Sequence, residues 1–415
     1  MRLAGSSLLV VGTQPLDVLA VPDKVSLKPE HDADEGFWQM IRKQFPLSKE
    51  LTYLNNGTMG PSPYAVINAT HKGMLLADEE ADYGGWEATC KKIGEFVGAD
   101  GSEIVLTRNV TEGINIISSG LKLNKGDEVI LTTHEHAGNA FPWLNLAKQK
   151  GIVLRTFKPA ATAAEVLNQI NALINKKTKA IGVPHILCTQ GQILPAKEIS
   201  KLGKEKGVFV FLDGAHGPGM LPINLKEMGC DAYASCCHKW MLGPKGTGFL
   251  YINKNAFDQV QPVFVGAGSD NAKWTMATEP PQMGDYADDA HRYYAGTFNG
   301  GLYRGVNACV DFIQDIGQQI ISNRILSLAA YAQQRLIGLG DKIEMLTPIE
   351  PQSRGAVIGF RIKGIESTEL YQKAAKEKIR IRQVHENGLN SLRLSTHIYN
   401  NKSEVDRFVE LVKKA

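Results

Sequence analysis

The sequence predicts an α/β fold, with a mostly parallel sheet in a large domain and a smaller α+β domain at the C-terminal end. From about residue 103, short β-rich runs alternate with amphipathic helical patterns, which is typical of a parallel sheet covered by helices on both faces. The run at residues 208–212, Val-Phe-Val-Phe-Leu, is apolar throughout, as expected of a strand that is buried on both faces.

Seven strands are predicted for the large sheet, at residues 103–107, 128–132, 152–157, 180–185, 208–212, 231–234 and 247–252. The patterns between them predict helices at residues 111–119, 138–150, 161–175 and 195–206. Residues 266–300 are rich in Gly, Asp, Tyr and Pro and predict a long loop, and loops of that length are usually functional or disordered.

The C-terminal part begins with one long helical pattern at residues 302–339, which is expected to stop at Gly338 and Gly340. It continues with strands and helices in alternation. The strands are predicted at residues 356–362 and 391–394, and the helices at residues 367–376 and 402–413. This mixture predicts the smaller α+β domain.

Length and composition exclude several classes of protein. A chain of 415 residues, with 43% hydrophobic and 21% charged residues, has a globular composition and is not disordered, collagen-like or coiled-coil. The net charge of +3 gives no reason to expect nucleic acid or a membrane as partner. The six cysteines lack paired Cys-x-x-Cys spacing, which argues against both a disulfide framework and a zinc site.

The first residues are interpreted as a leader that takes no part in the fold. Residues 1–20 carry one arginine, a short apolar stretch and a Val-Leu-Ala sequence, so they fit a truncated signal peptide or a loosely ordered arm. No apolar run reaches the length of a membrane-spanning helix. The predicted location is therefore cytoplasmic by default, or exported if residues 1–20 are a signal remnant.

Lys239 follows a buried strand directly and precedes a Gly-Pro-Lys-Gly turn. In open α/β sheets, ligands bind at the carboxyl ends of the strands, so this lysine lies where a site is expected. The pattern alone also fits a solvated lysine beside a tight turn, because most lysines are surface charges.

Asp213 ends the apolar run at residues 208–212. A carboxylate there is costly to desolvate unless it faces a positive partner, although a cap on the following Asp-Gly turn is the alternative. A protonated pyridine nitrogen is such a partner, and an aspartate opposite a cofactor-binding lysine is the arrangement that pyridoxal phosphate enzymes need.

Two further segments follow predicted strands. Thr111, Glu112 and Gly113 begin a helical pattern, where backbone N–H groups favour a phosphate, although a capping threonine is an equal interpretation. His136 follows the strand at residues 128–132 and can stack on a flat ring, or it is an ordinary loop histidine.

Together, and in this order, these segments resemble the class V, fold-type I pyridoxal phosphate enzymes, which include cysteine desulfurases and isopenicillin N epimerase. The likeness covers about residues 50–410. It implies a seven-stranded, mostly parallel large-domain sheet, pyridoxal 5'-phosphate as cofactor, an amino-acid-type substrate, and a homodimer with shared active sites. The expected division is a leader at residues 1–30, a segment at 31–60 that packs with the small domain, a large domain at 61–300 and a small domain at 301–415.

The resemblance also implies roles for single residues. Lys239 binds the cofactor covalently, Asp213 pairs with the pyridine nitrogen, and His136 stacks on the ring. The other contacts that it assigns to the cofactor within one chain, mostly to the phosphate, are Thr111, Glu112, Gly113, Ser235 and His238. His216 occupies the place beside the phenolic oxygen where desulfurases usually have glutamine, which is more like the epimerase branch. Thr297, in an Ala-Gly-Thr sequence, is similar to the residue that reaches the neighbouring subunit's phosphate.

Near the C-terminus, Arg393 lies in a segment that resembles the family's arginine motif, and it would clamp the substrate α-carboxylate bidentately. A solvated arginine at a strand end is the alternative. Asn55 lies where the family's N-terminal segment approaches the substrate, although an Asn-Gly turn explains this region equally well.

Departures from the family pattern bear on the reaction. Residues 381–390 contain no cysteine, although sulfur-accepting desulfurases carry their nucleophile there, so persulfide transfer by that route is not expected. Cys236 and Cys188 replace a usual serine and asparagine, which puts the phosphate contacts at those two positions in doubt.

The leading function is therefore an isopenicillin N epimerase-like epimerase or racemase, with a C–S lyase or a class V aminotransferase as alternatives. A metal-dependent hydrolase is a remote alternative that leaves Lys239 and Arg393 without roles, and its ligands would be His134, His136, Asp213, His216 and His238. A non-catalytic, cofactor-binding scaffold, as in regulators that use this fold, is the third interpretation. Those regulators carry a DNA-binding domain, and the residues before Leu51 are too few for one.

Overall fold

The computed structural model describes residues 34–81, 83–271 and 273–415. The expected leader at residues 1–30 lies outside this part of the chain. Within the described ranges, no helix has both the length and the apolar composition needed to cross a bilayer.

The strands are β1 (Thr52–Tyr53), β2 (Ile104–Thr107), β3 (Glu128–Thr132), β4 (Val153–Phe157), β5 (Thr178–Pro184), β6 (Phe209–Asp213), β7 (Ala232–Cys236), β8 (Gly248–Ile252), β9 (Ile343–Met345), β10 (Val357–Ile362), β11 (Ile379–Arg380), β12 (Arg382–Val384) and β13 (Ser391–Ser395). The α-helices are α1 (Glu35–Arg42), α2 (Tyr64–Glu80), α3 (Glu87–Val97), α4 (Val110–Gly120), α5 (Ala137–Lys150), α6 (Ala163–Leu173), α7 (Ala196–Lys206), α8 (Leu225–Met228), α9 (Gly300–Ile316), α10 (Gln318–Ile337), α11 (Ser367–Lys376) and α12 (Lys402–Lys413).

The large sheet contains seven strands in the order β2-β8-β7-β6-β5-β3-β4. Every neighbouring pair is parallel except the two pairs that involve β8, which runs antiparallel to β2 and to β7. All residues of β6, β7 and β8 are buried, because helices cover both faces of the central strands. The predicted mostly parallel, seven-stranded sheet is confirmed.

Capping residues set several helix ends. Thr162 and Asn401 cap α6 and α12, and in both helices a glutamate three residues later bonds back to the cap. The four helices predicted between strands β2 and β6 are present, with ends shifted by at most two residues. Helices α1, α2 and α3 were not predicted.

The prediction of a single long helix at residues 302–339 is wrong. The structure has two helices, α9 and α10, separated at Gly317. The backbone of Gly317 adopts φ 104° and ψ 123°, a conformation that side chains with a Cβ rarely adopt, so the helix cannot continue through it. The apolar pattern continues across the break because both helices bury one face.

The N-terminal segment returns to the C-terminal part of the chain. Strand β1 pairs in parallel with β11, and Asn55 forms a bridge with Ser395 at the end of β13. Strand β13 lies between β12 and β10 in an antiparallel sheet of four strands, β12-β13-β10-β9. This pairing brings residues 55–60 beside the carboxyl ends of the large-sheet strands, where Gly60 N–H donates to the His238 carbonyl.

Candidate active site

The ends of the neighbouring parallel strands β6 and β7 carry Asp213 and, three residues beyond β7, Lys239. Asp213 is buried, and its Oδ1 accepts a hydrogen bond from Ala215 N–H at 2.9 Å. Burial raises the pKa of the Asp213 carboxyl, while this backbone N–H and the positive charge of Lys239 act in the opposite direction. A cation placed against this carboxylate would therefore be strongly stabilised.

Lys239 Nζ lies 3.5 Å from His216 Nε2, on the loop that follows β6. The other ring nitrogen, His216 Nδ1, accepts a hydrogen bond from the Trp240 indole N–H at 3.0 Å. Burial, and next the charge of Lys239, keep the pKa of His216 well below its usual value. His216 is thus a neutral imidazole held beside the lysine.

His136 is the N-cap residue of α5 and lies four residues after the end of β3. Its Nδ1 accepts a hydrogen bond from Gly138 N–H at 3.0 Å, so the ring caps the helix. The side chain is exposed to solvent on one side, and the surrounding protein and the charges of Lys239 and Arg382 lower the pKa of His136 to about 4. An uncharged ring with an open side is suited to stacking on a flat aromatic ligand.

Thr111, Glu112 and Gly113 form the first turn of α4. The Glu112 carboxylate turns to Arg108, at 2.9 Å, and the Glu112 N–H is already bonded to the capping residue Asn109. Gly113 is needed because a Cβ there would lie 2.8 Å from the Cβ of Ala234 in β7.

The start of α4 lies next to the start of α5. A Cβ on Gly138, in the first turn of α5, would lie 2.8 Å from the Thr111 hydroxyl oxygen. Two helix N-termini with their positive dipole ends therefore lie side by side, which favours an anion such as a phosphate.

His238 and Ser235 differ in what they offer a ligand. The Ser235 hydroxyl already donates to the Gly214 carbonyl at 2.9 Å, so its hydrogen is not available for a phosphate. In contrast, His238 Nδ1 is buried and has no hydrogen-bond partner. Burial and the charges of Lys239 and Lys245 lower the pKa of His238 to about 4.

Arg393 lies in the middle of β13 and is 2% exposed. Its Nη1 donates to the Cys188 carbonyl and its Nη2 to the Thr58 hydroxyl at 3.3 Å, while Thr58 donates to Asn55 Oδ1 at 2.8 Å. Arg393 Nε is buried without a partner, and burial lowers the pKa of the guanidinium to about 9. Asn55 thus reaches Arg393 through Thr58.

Thr297 is the predicted site residue that the single chain does not bring to this region. Thr297 is exposed, and it follows Gly296, whose φ is 89°. In the described part of the chain, no hydrogen bond joins Thr297 to any other site residue. A contact with the phosphate of a neighbouring subunit stays a prediction.

Sequence reasoning missed several residues of this region. Trp240 and Thr58 contact His216 and Arg393, and an ion pair between Arg382 and Glu386 lies close enough to act electrostatically on Arg393. Only Trp240 left a signal in the sequence, because it directly follows Lys239 and a buried indole N–H needs an acceptor.

The residues present fit pyridoxal phosphate. An anionic group finds two adjacent helix N-termini and the unpartnered His238 nitrogen, and a ring cation finds the buried Asp213 carboxylate. The arrangement does not fit the metal-site alternative. His134 Nδ1 lies 3.0 Å from Thr189, and nowhere in residues 34–81, 83–271 and 273–415 do three His, Cys, Asp or Glu side chains form a group that could hold a metal ion.

Two proteins with known names are similar to this chain over most of its length. The isopenicillin N epimerase of Amycolatopsis lactamdurans is 28% identical over 392 residues, covering 91% of this chain and 98% of that protein. A probable cysteine desulfurase of Pyrococcus abyssi (strain GE5 / Orsay) is 29% identical over 402 residues, covering 90% of this chain and 97% of that protein.

Solved structures and a family model extend the comparison. The apo cysteine desulfurase of Thermococcus onnurineus NA1 matches with a TM-score of 0.80 at 25% identity, over 90% of this chain and 97% of that chain. The cystine C–S lyase C-DES, in complex with its product cysteine persulfide, matches with a TM-score of 0.79 at 25% identity, over 89% of this chain and 99% of that chain. The family model for aminotransferase class-V matches residues 64–408. This chain therefore belongs to the class-V aminotransferase family, whose cofactor is pyridoxal phosphate.

Proposed function

We propose that this enzyme moves a proton at the α-carbon of an amino acid or an amino-acid-containing substrate, and that epimerisation is its reaction. The observation that carries the proposal is the grouping of Lys239, Asp213 and His216 at the ends of two adjacent strands. Lys239 Nζ lies 3.5 Å from His216 Nε2, and the positive charge of Lys239 affects the pKa of both Asp213 and His216.

In this proposal Lys239 holds the cofactor and then serves as the base at the α-carbon. Bound pyridoxal phosphate supplies an electron sink for the negative charge that develops when the proton leaves. Asp213 keeps a negative charge beside the ring nitrogen, where burial makes the interaction strong. His216, whose pKa is well below neutral, stays uncharged and offers a hydrogen bond instead of a second positive charge.

Arg393 is proposed to bind the substrate α-carboxylate. Its guanidinium is buried and its Nε has no partner, so a carboxylate would satisfy a polar atom that is otherwise left unpaired. Asn55 is proposed to act with it by holding the Thr58 hydroxyl at 2.8 Å.

A C–S lyase is the second candidate, because desulfurases and the lyase C-DES are among the similar proteins. The cysteines of this chain argue against the desulfurase form in which a cysteine accepts sulfur. All six are buried, and burial raises the pKa of Cys188 and of Cys236 to about 11, so neither is available as an exposed thiolate. A lyase that needs no such cysteine stays a candidate, as does an aminotransferase.

The enzyme is proposed to work as a homodimer in which each subunit completes the other's site. The support is the position of Thr297, which is exposed on its own chain and so is available to a second copy. The fold of a single chain leaves this residue without a role in the site that Lys239 occupies.

The reaction is tested with the purified holoenzyme and a panel of L-amino acids in deuterated water. Epimerisation predicts exchange of the α-proton, followed by NMR, together with appearance of the D-form on chiral chromatography. Ammonia or sulfide released together with a 2-oxo acid would instead assign a lyase. A 2-oxo acid formed without free ammonia, and turned over repeatedly only when a second 2-oxo acid is added to accept the amino group, would assign an aminotransferase. Lys239→Ala is the control and should abolish exchange. If no substrate of the panel, extended to peptides with a free N-terminal amino acid, exchanges its α-proton, the proposal is wrong.

The cofactor position is tested separately. Borohydride reduction of the holoenzyme followed by peptide mass mapping should place the pyridoxyl group on Lys239. Lys245 is a suitable internal control, because it is a second lysine of the same loop, exposed to solvent, with its Nζ 3.1 Å from the Ser62 hydroxyl. A label on Lys245 alone would remove Lys239 from its proposed role.

A further inference from the structure

The hydrogen bond from Trp240 to His216 determines which nitrogen of His216 carries the ring hydrogen. An indole N–H can only donate, so His216 Nδ1, which receives it at 3.0 Å, must present a lone pair. A neutral imidazole has one N–H, which must then lie on Nε2. That nitrogen is the one 3.5 Å from Lys239 Nζ.

This assignment of the hydrogen to Nε2 holds only while the ring is neutral. The surroundings of His216 oppose protonation of its second nitrogen. The ring is buried, and burial keeps the pKa of His216 well below its usual value. The nearby titratable groups add to the effect, since each of them further lowers the pKa, and these groups are Lys239, Arg393, His136 and Arg382. None of these largest effects on the pKa of His216 comes from a carboxylate.

Trp240 is itself held by a second histidine. The Trp240 side chain is fully buried, and its backbone carbonyl lies 3.0 Å from His397 Nε2. His397 Nδ1 accepts a hydrogen bond from Ile398 N–H at 2.9 Å, so its hydrogen lies on Nε2 and is donated to Trp240. The rings of Trp240 and His397 also stack, with centroids 5.8 Å apart. The indole therefore has little freedom to release His216.

We propose that Trp240 is a positioning residue that fixes His216 as an obligate hydrogen-bond donor at Nε2 toward the cofactor. The proposal rests on the proposed function, in which the phenolic oxygen of pyridoxal phosphate lies beside His216. This oxygen is a suitable acceptor for the Nε2 hydrogen, whereas a lysine ammonium has no lone pair to accept it. The glutamine that desulfurases usually have at this position always offers amide N–H donors. A neutral histidine offers an N–H at only one of its two nitrogens, so it needs a partner such as Trp240 to place that hydrogen on Nε2.

The first test is the pH titration of the visible absorption band of the holoenzyme. Trp240→Phe removes the indole N–H and keeps an aromatic ring, so part of the His216 population can move its hydrogen to Nδ1. The phenolic oxygen then loses a donor and becomes more basic. The pH at which the band changes should rise by about one unit, because a hydrogen bond to a charged oxygen is worth roughly 1.5–3 kcal/mol.

Two controls separate this effect from a general loss of packing. Trp38→Phe removes another buried indole, in α1, and should leave the titration unchanged. In a His216→Phe background, Trp240→Phe should produce no further shift, because the group through which it acts is gone. A shift of equal size in that background would overturn the proposal, as would an unchanged titration of the single Trp240 variant.

The second test needs neither a Trp240 variant nor the proposed cofactor position. Long-range ¹H–¹⁵N correlation NMR of the histidine-labelled protein, with His216→Gln to assign the signals, reports which ring nitrogen is protonated. A protonated Nε2 and a bare Nδ1 are expected at neutral pH, and the reverse tautomer or a doubly protonated ring would overturn the inference. If borohydride fails to label Lys239 while this tautomer is observed, the proposed function fails and the role of Trp240 in selecting the tautomer survives.

Discussion

Arg382 and Arg393 lie directly opposite each other on the antiparallel strands β12 and β13. Residues paired in this way project from the same face of the sheet, so two guanidinium groups share one wall of the site. Glu386 forms an ion pair with Arg382, whereas Arg393 has no carboxylate partner in the described residues. The proposed substrate carboxylate therefore finds one arginine whose charge has no carboxylate partner, beside a second arginine that Glu386 already neutralises.

Replacing Arg393 by lysine should weaken substrate binding more than it slows turnover. Lysine keeps the charge but cannot form the two parallel hydrogen bonds of a guanidinium, which are worth about 1.5–3 kcal/mol each. We expect KM for the best substrate to rise by roughly 10- to 100-fold with a smaller change in kcat, measured by steady-state kinetics. Arg380→Lys is the control, because Arg380 is exposed on β11. An unchanged KM would remove Arg393 from substrate binding.

Replacing Asp213 by asparagine should preserve cofactor binding and reduce catalysis. The side chain keeps its size, so the acceptor for Ala215 N–H survives, but the buried negative charge is lost. Loss of a buried charge partner costs about 3–5 kcal/mol, which corresponds to a fall in α-proton exchange of at least about 10²-fold. Cofactor content from the visible spectrum and exchange by NMR give the two readings. Native exchange rates would contradict the role of Asp213.

Replacing Gly60 by alanine should disturb the lysine itself. A Cβ on Gly60 would lie 2.1 Å from the backbone carbonyl oxygen of Lys239, so one of the two segments must move. We expect a lower Tm and a lower cofactor content in the purified protein, both measured against wild type. Gly338→Ala, at the end of α10 where φ is −61°, meets no such contact and should leave both values close to wild type. A native cofactor content in the Gly60 variant would show that this segment adjusts without moving Lys239.

The strands of the large sheet could be predicted because each is a short apolar run with its own boundaries. The break at Gly317 could not, since glycine occurs within helices elsewhere in this chain and only the observed φ of 104° shows that this one ends a helix. Strand β1 could not be predicted from the sequence either. It has two residues, and its partner β11 lies more than 300 residues later in the chain.

The residues of the site were also predictable from the sequence only in part. Lys239 and Asp213 follow strands that the sequence marks, so the topology alone brings them to one edge. The Ser235 hydroxyl is used by Gly214 and the Glu112 carboxylate by Arg108, and such competing partners depend on side-chain geometry that no motif contains. The same holds for Thr58, which links Asn55 to Arg393 only because β1 returns to the C-terminal sheet.

The buried histidine His185 should make the enzyme less stable in mild acid. Burial lowers the pKa of His185 to about 4, whereas an unfolded chain protonates histidine near pH 6.5. Above pH 6.5 neither state binds the proton; as the pH falls towards 4, only the unfolded state is stabilised. The loss is about 2 kcal/mol at pH 5 for this one group.

His185→Asn tests this pH dependence. The asparagine amide can replace Nδ1, which lies 3.0 Å from the Tyr233 hydroxyl, without a titrating ring. The difference in urea unfolding between pH 7 and pH 5 should shrink by about 2 kcal/mol at fixed protein and cofactor concentrations. His71→Asn, on the exposed face of α2, controls for the loss of a histidine as such. An unchanged difference would mean that His185 is not the titrating group.

Mixing two inactive variants tests whether the active site is shared between subunits. Lys239→Ala removes the proposed cofactor lysine, and Thr297→Val removes a hydroxyl proposed to reach the other subunit's phosphate. In a shared-site dimer formed from one chain of each kind, one site combines the native Lys239 of one chain with the native Thr297 of the other, and the second site carries both defects. Co-expressed variants with different affinity tags should therefore regain α-proton exchange after tandem purification, whereas each variant alone stays inactive or strongly impaired. If each chain builds its site from its own residues, both sites of the mixed dimer are defective and no activity returns.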